Sequence, residues 1–419
     1  MRFAYNLLSY LLLLPYALYF LLRGIGNRRY WHKLGERFGL GYTRLEGSIW
    51  IHAVSVGEVV AATPLIRALQ RDYPQHPLLV TTVTPTGAAR VAATFGEAVD
   101  HAYIPFENPD AVSRFFARKR PRIAMVMETE IWPNLYHGCG IRQIPLVLIS
   151  ARISPKSVKN YRRLLPLFRE TLSHGIIIAA QTNSDADRFL SLGASPERTR
   201  VTGNIKFDID LPETINADGL ALREALFPER RVWIAASTHE GEEQKVLDAH
   251  RAILKELPDA LLILVPRHPE RFASVAELVG KQGFGQMARS RQLPAGAECQ
   301  VFLGDTMGEV PLFYAASDLA FVGGSLVPIG GHNLLEPAAV GVPMLSGPHV
   351  FNAEEIARMF FDLGACRRVE SSAELAAAVV ALFGESAARA RMSARATDLL
   401  RNNRGALDRL LGMIRPLLN

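Results

Sequence analysis

The chain has 419 residues, 49% hydrophobic and 21% charged, with a mean hydropathy of +0.09. That is apolar material for two or three packed cores at about 150 residues per domain, and it excludes a disordered or fibrous chain and a polytopic membrane protein. Three cysteines without a C-x-x-C pair, Cys139, Cys299 and Cys366, exclude a disulfide scaffold and argue against a cysteine zinc site. With no N-x-S/T acceptor, they fit a reducing compartment.

The net charge of +6 is unevenly placed. Residues 1–50 hold seven Lys and Arg against Glu36 and Glu46, a net of +5, which leaves +1 for the rest. The basic excess lies beside an apolar segment, which favours a membrane surface over nucleic acid. Phe3 to Leu22 carries no charge, and its 20 residues suit a bilayer span. Pro15 would kink such a helix. A cleaved signal peptide would be shorter and end in small residues, whereas this run ends at Arg23 and continues into NRRYWHK. We expect an uncleaved inner-membrane anchor, with an interfacial helix as the second reading. The flanking cations would keep the body on the cytoplasmic side.

In chain order, short apolar runs predict strands at 49–54, 78–83, 101–104, 123–127, 145–149, 176–180 and 200–203. After a linker at 208–218 the rhythm restarts at 232–236, 261–265, 300–303, 318–322, 342–345 and 365–369. Amphipathic stretches such as 57–71 and 184–192 lie between them. Alternating strands and helices imply parallel sheets with right-handed crossovers, hence two doubly wound α/β domains with a cleft between them. The expected divisions are an anchor and basic collar at 1–35, domains at 36–207 and 219–419, and last helices that return to the first domain. No G-x-G-x-x-G follows a strand and no P-loop occurs, which argues against dinucleotide enzymes and P-loop ATPases.

Ligands of open parallel sheets bind beyond the carboxyl ends of the strands. The first strand leads into SVGE, placing Glu58 in a first helical turn, where the macrodipole would keep it ionised and able to accept a proton. The fourth leads into METEIWPN, where Glu128 and Glu130, two apart in an extended segment, would point the same way. Lys206 in NIKFD ends the last strand of the first domain and would meet an anionic ligand. Arg267 and His268 follow strand 261–265 and suit phosphate contacts. GDTMGEV gives a turn through Met307 and Gly308, then a helix with Glu309 in its first turn. In FVGGSLVPIGGHNLLEP a glycine-rich loop precedes a helix opened by Asn333, Leu334, Leu335 and Glu336. Backbone N–H groups there could cradle a phosphate, and Glu336 could accept ribose hydroxyls. STHEGEE holds His239 and Glu240 without the second histidine of a zinc motif. Residues 152–169 carry six cations and no acid, which suits either a solvated face or an anionic lipid.

HAVSVGE, TTVTPTG, METEIWPN, SARIS, GNIKFD, ASTHEGEE, VPRHPERF, GDTMGE and FVGGSLVPIGGHNLLEP together resemble the motifs of the bacterial Kdo (3-deoxy-D-manno-octulosonic acid) transferases, in the same order over nearly the whole chain. Leu334 departs from the proline of some members. The resemblance implies a GT-B fold of two Rossmann-like domains and an inverting transfer of Kdo from CMP-Kdo to a lipid A precursor, with no bound metal or other cofactor. It implies Glu58 as proton acceptor and Glu128 and Lys206 as transition-state stabilisers. Arg267, His268, Met307, Gly308, Glu309, Asn333, Leu334, Leu335 and Glu336 would bind the donor. The competing readings are a sugar-nucleotide epimerase of the same fold and a non-catalytic lipid-binding protein at the membrane.

Overall fold

The computed structural model describes residues 1–291, 296 and 298–418. Contacts divide the chain into two compact units, Met1–Asp208 with Asn403–Asn419, and Ile209–Asn402. The first holds β1 (Ile49–His52), β2 (Leu78–Thr82), β3 (Asp100–Tyr103), β4 (Ile123–Met127), β5 (Leu146–Ala151), β6 (Ile177–Ala180) and β7 (Thr199–Val201). They form one parallel sheet in the order β3-β2-β1-β4-β5-β6-β7. The second holds β8 (Arg231–Thr238), β9 (Ala260–Pro266), β10 (Gln286–Ala288), β11 (Val301–Leu303), β12 (Leu319–Val322), β13 (Met344–Ser346) and β14 (Cys366–Arg368). Their order is β10-β11-β9-β8-β12-β13-β14, again all parallel. These are the Rossmann-like units of a GT-B fold.

The expected strands are all present, with ends shifted by a few residues. Only β10 is not anticipated by the sequence: its three residues Gln286, Met287 and Ala288 are exposed or half-buried and form no apolar run. The central strands read as uninterrupted apolar runs because both sheet faces are covered. In the first unit Trp50, Ala124, Val126 and Leu148 point into one core, and Ile49, Ile51, Met125 and Val147 into the other. The helix Ala406–Leu418 adds Ala406, Leu410, Ile414 and Leu418, one stripe at a spacing of four, to the second of these cores. Asp208 caps its start, accepting from the N–H groups of Gly405 at 2.6 Å and Leu407 at 2.7 Å. In the second unit Trp233, Leu262, Leu264 and Phe321 lie in one core layer.

Some local expectations change. The helix Ile215–Leu226 begins within the segment 208–218. The basic stretch 152–169 is not one helix: Pro155 and Pro166 each sit in a first turn and divide it into Pro155–Tyr161, a tight turn at Arg162–Leu164, and Leu165–Leu172. At the N-terminus Arg2–Leu11 and Leu13–Gly26 form a nearly continuous helix, interrupted at Leu12, one turn before Pro15. By length and composition residues 2–26 could cross a membrane.

Candidate active site

In the first unit the chain leaves β1, and Ser55 caps the helix Val56–Asp72 by accepting from the Glu58 N–H at 3.4 Å. Glu58 reaches back, and its Oε2 accepts from the Val54 N–H at 2.7 Å. This is a near relative of the capping box, displaced by one residue. Among the described residues Oε1 has no partner. The sequence leads one to expect an ionised group. The structure overturns that balance: burial, with the charges of Glu128 and Glu130 added, pushes the Glu58 carboxyl up to about 8, against the Val54 N–H and Lys206. Desolvation of a half-buried carboxylate outweighs one helix terminus.

Glu128 follows β4 in the left-handed region at φ 55°, so the segment is not extended and the two METE carboxylates do not share a direction. Glu128 Oε1 accepts from Lys206 Nζ at 2.5 Å and Oε2 from Arg152 Nε at 3.0 Å. Burial alone would raise its pKa, but the two cations outweigh it and hold it below the usual carboxylate range. Glu130 instead accepts from the Trp132 indole at 2.6 Å, and burial raises it. Lys206, expected to meet an anionic ligand, therefore already faces a resident carboxylate. Arg152, the second cation on Glu128, is not singled out for this role by the sequence. Its signal is its place in SARIS, just after β5.

In the second unit Arg267 and His268 follow β9 as expected. The Arg267 N–H donates to Thr238 O at 3.0 Å, and His268 is exposed. His239 stands edge-on to His268, with ring centres 5.3 Å apart, and stacks on His332 with Nε2 atoms 2.7 Å apart. Burial, then the cationic neighbours, lowers His239 to about 4 and His332 to about 3. Both imidazoles are neutral at pH 7, so one ring donates and the other accepts.

The glycine-rich loop is built around a carboxylate the sequence reading missed. Glu242, fully buried, accepts from the N–H groups of Gly324 at 2.6 Å, Ser325 at 3.0 Å, Leu326 at 2.9 Å and His239 at 3.3 Å. It joins ASTHEGEE to FVGGS. A Cβ on Gly323 would lie 2.8 Å from Ala236 O and 2.9 Å from Glu242 Oε2, and Gly324 has φ 68°. Glycine is needed at both places. The adjacent acids in STHEGEE were its only sequence signal.

The remaining donor candidates are placed as follows. Met307 is exposed, and Gly308 turns at φ 85°. Glu309 stands at the N-cap position of the helix Val310–Ala315 rather than inside it, and its side chain is paired with Arg289, Nη2 to Oε1 at 2.8 Å. The helix after the glycine-rich loop starts at Leu335, not Asn333, and has six residues. Asn333 Oδ1 accepts from the Leu335 N–H at 3.0 Å, and Asn333 Nδ2 approaches Glu336 Oε1 at 3.3 Å. The Leu334 and Leu335 side chains are buried, so only their backbone can meet a ligand. Elsewhere, among the described residues, His137, Glu170 and His174 have metal-ligand atoms within 4.8 Å of one another, but Arg2 pairs with Glu170 at 3.0 Å.

A family model described as 3-deoxy-D-manno-octulosonic-acid transferase (kdotransferase) matches residues 32–209. A 3-deoxy-D-manno-octulosonic acid transferase of Haemophilus influenzae is 44% identical over 423 residues, spanning 100% of this chain and 99% of that protein. One of Bordetella pertussis is 38% identical over 392 residues, 90% of this chain and 89% of that protein. Among solved structures, Anabaena Alr3699/HepE in complex with UDP is similar with a TM-score of 0.53 at 16% identity, over 88% of this chain and 99% of that one. That last likeness shows the fold alone.

Proposed function

Because this chain belongs to the 3-deoxy-D-manno-octulosonic acid transferase family, we propose that it transfers Kdo from CMP-Kdo to a hydroxyl of a lipid A precursor, with inversion, on the cytoplasmic side of the inner membrane. The acceptor oxygen forms a bond to the anomeric carbon, the bond from that carbon to the CMP phosphate oxygen breaks, and the hydroxyl proton passes to Glu58. A nucleotide phosphate leaves readily near neutral pH, so one base suffices and no general acid or metal is invoked. Glu128, held ionised by Lys206 and Arg152, stabilises positive charge developing on the sugar, and the two cations balance the charge of the departing phosphate. Arg267, His268, Met307, Gly308, Glu309 and the Asn333–Glu336 turn hold the donor. The N-terminal helix and its basic collar keep the enzyme at the lipid, and no role for nucleic acid is invoked.

The observation that carries this reading is Glu58: one carboxylate oxygen without a partner among the described residues, and a proton affinity raised by burial and by the neighbouring Glu128, which is itself paired with Lys206. The test is CMP release from CMP-Kdo, with and without lipid acceptor. Wild type should release CMP only with acceptor. Glu58→Gln keeps the shape and removes the basicity, and should lower turnover by about a hundredfold or more. Near-normal turnover in that variant would remove Glu58 from the chemistry. Acceptor-independent release would favour the epimerase, and no release the binding protein.

A further inference from the structure

The helix over residues 2–26 is apolar enough to span a bilayer, yet it lies along the first unit for its whole length. Arg2 Nη1 pairs with Glu170 at 3.0 Å, and the Tyr5 hydroxyl donates to Glu107 Oε2 at 2.8 Å. Further along, Tyr16 stacks on Phe106 with ring centres 4.2 Å apart. Phe20 is 3% exposed, and the buried Arg37 guanidinium lies between its ring and that of Tyr103, 4.1 Å from each. At the far end Trp31 folds back over Gly24 and donates to Leu21 O at 3.1 Å.

The docked residues Tyr5, Ser9, Tyr16 and Phe20 form one helical stripe. Phe3, Leu7, Leu11, Leu14, Leu18, Leu22 and Ile25 form another at spacings of three and four, all exposed, Phe3 at 83%. The two stripes differ in chemistry: the docked one carries hydroxyls, the outer one none.

A spanning helix cannot keep these contacts. Twenty-five residues at 1.5 Å each measure about 37 Å, so with Arg23 at one interface Arg2 would reach the other. Glu170 would lose Arg2, and Glu107 would lose the Tyr5 hydroxyl. Glu107 is buried, and it also accepts from the Asn134 and Leu135 N–H groups at 2.9 and 2.7 Å, at the start of the helix Pro133–Gly140. That helix follows directly on the loop carrying Glu128 and Glu130, so Tyr5 docks on the residue that anchors the end of the candidate catalytic loop.

We propose that this helix is an in-plane membrane element: its inner stripe stays on the protein, its outer stripe enters one leaflet, and both its ends remain on the side of the catalytic body. The partner is a leaflet containing anionic phospholipid. Residues 1–35 hold no acid, and Arg23, Arg28, Arg29 and Lys33 cluster at one end. Arg2 pairs with Glu170, which directly follows the exposed cations of 155–169 in the chain.

The proposal rests on the membrane reading above, and the experiment separates the two. Full-length Phe3→Cys, Leu14→Cys and Ile25→Cys variants are labelled with a fluorophore and bound to vesicles of phosphatidylethanolamine and phosphatidylglycerol that carry shallow or deep nitroxide quenchers. Cys139, Cys299 and Cys366 are buried and leave the background low. The three labels should report one common, shallow depth. In inner-membrane vesicles, a protease-cleavable tag before Met1 should be cut from the same side as a tag after Asn419. A deepest label at Leu14, or tags cut from opposite faces, overturns the in-plane helix and leaves membrane attachment standing. Failure to bind either membrane overturns both.

Discussion

Glu58 owes its state to its surroundings, and those can be altered one charge at a time. With its pKa raised to about 8, kcat/KM of the free enzyme should rise tenfold per pH unit below that value and level off above it. Lys206 lowers Glu58 and Glu128 raises it, so the two variants should move the profile oppositely. Lys206→Ala should shift the rise to higher pH, and Glu128→Gln to lower pH, each beside a fall in the plateau. A pH–rate profile on each variant checks this, and equal shifts in one direction would contradict the coupling. The same group costs stability. Its folded pKa lies above its unfolded value, so its favourable contribution is complete below about pH 4.5 and is lost as pH rises through about 8. Glu58→Gln carries no such loss and should melt a few degrees higher than wild type at pH 8–9, with the difference vanishing near pH 4. Thermal melts at the two pH values decide it.

At the scale of the element, the glycine-rich loop and the turn at Asn333–Glu336 are two different structures. The first is held by four backbone donors converging on Glu242, and the second is a short turn over a six-residue helix. Glu242→Ala should leave buried N–H groups without an acceptor, lower the melting temperature and weaken CMP binding together. Glu336→Ala should leave the melting temperature unchanged and weaken CMP by about 1.5–3 kcal/mol, the range of a charge-assisted hydrogen bond. Calorimetric titration with CMP beside a thermal melt separates the two. Loss of stability in the Glu336 variant, or none in the Glu242 variant, would reverse the assignment.

On the whole-molecule scale the charge distribution matters. Lys156, Lys159, Arg162 and Arg163 are all exposed, and their neighbours Val158, Leu167 and Phe168 are buried, which keeps the cations facing outward. Each contributes about 1 kcal/mol near an anionic surface, screened beyond a Debye length. Neutralising all four should raise the Michaelis constant for the lipid acceptor and flatten its dependence on ionic strength. CMP binding, which we propose for the other unit, should stay intact. Superimposable salt curves for wild type and the quadruple variant would show that this stretch does not meet the lipid.

The strands, the parallel architecture and the placing of Glu58 in a first helical turn were legible in the sequence because each is a property of consecutive residues, although the helix begins two residues earlier, at Val56. An apolar run such as IAMVM is a strand buried on both faces, and S-x-x-E opens a helix at Ser55 and again at Ser371. The ordered motifs likewise carried the family. What the sequence could not set is anything that depends on residues far apart in the chain meeting in a particular dielectric. Glu128 and Lys206 are 78 positions apart, Glu242 and Gly324 82. The left-handed turn at Glu128 sends its side chain away from the direction that alternation predicts. The proton on Glu58 follows the same rule: helix position alone argues for an ionised group. Burial and two neighbouring carboxylates, supplied only by the folded sheet, reverse that, because desolvation and charge act through space and not along the chain.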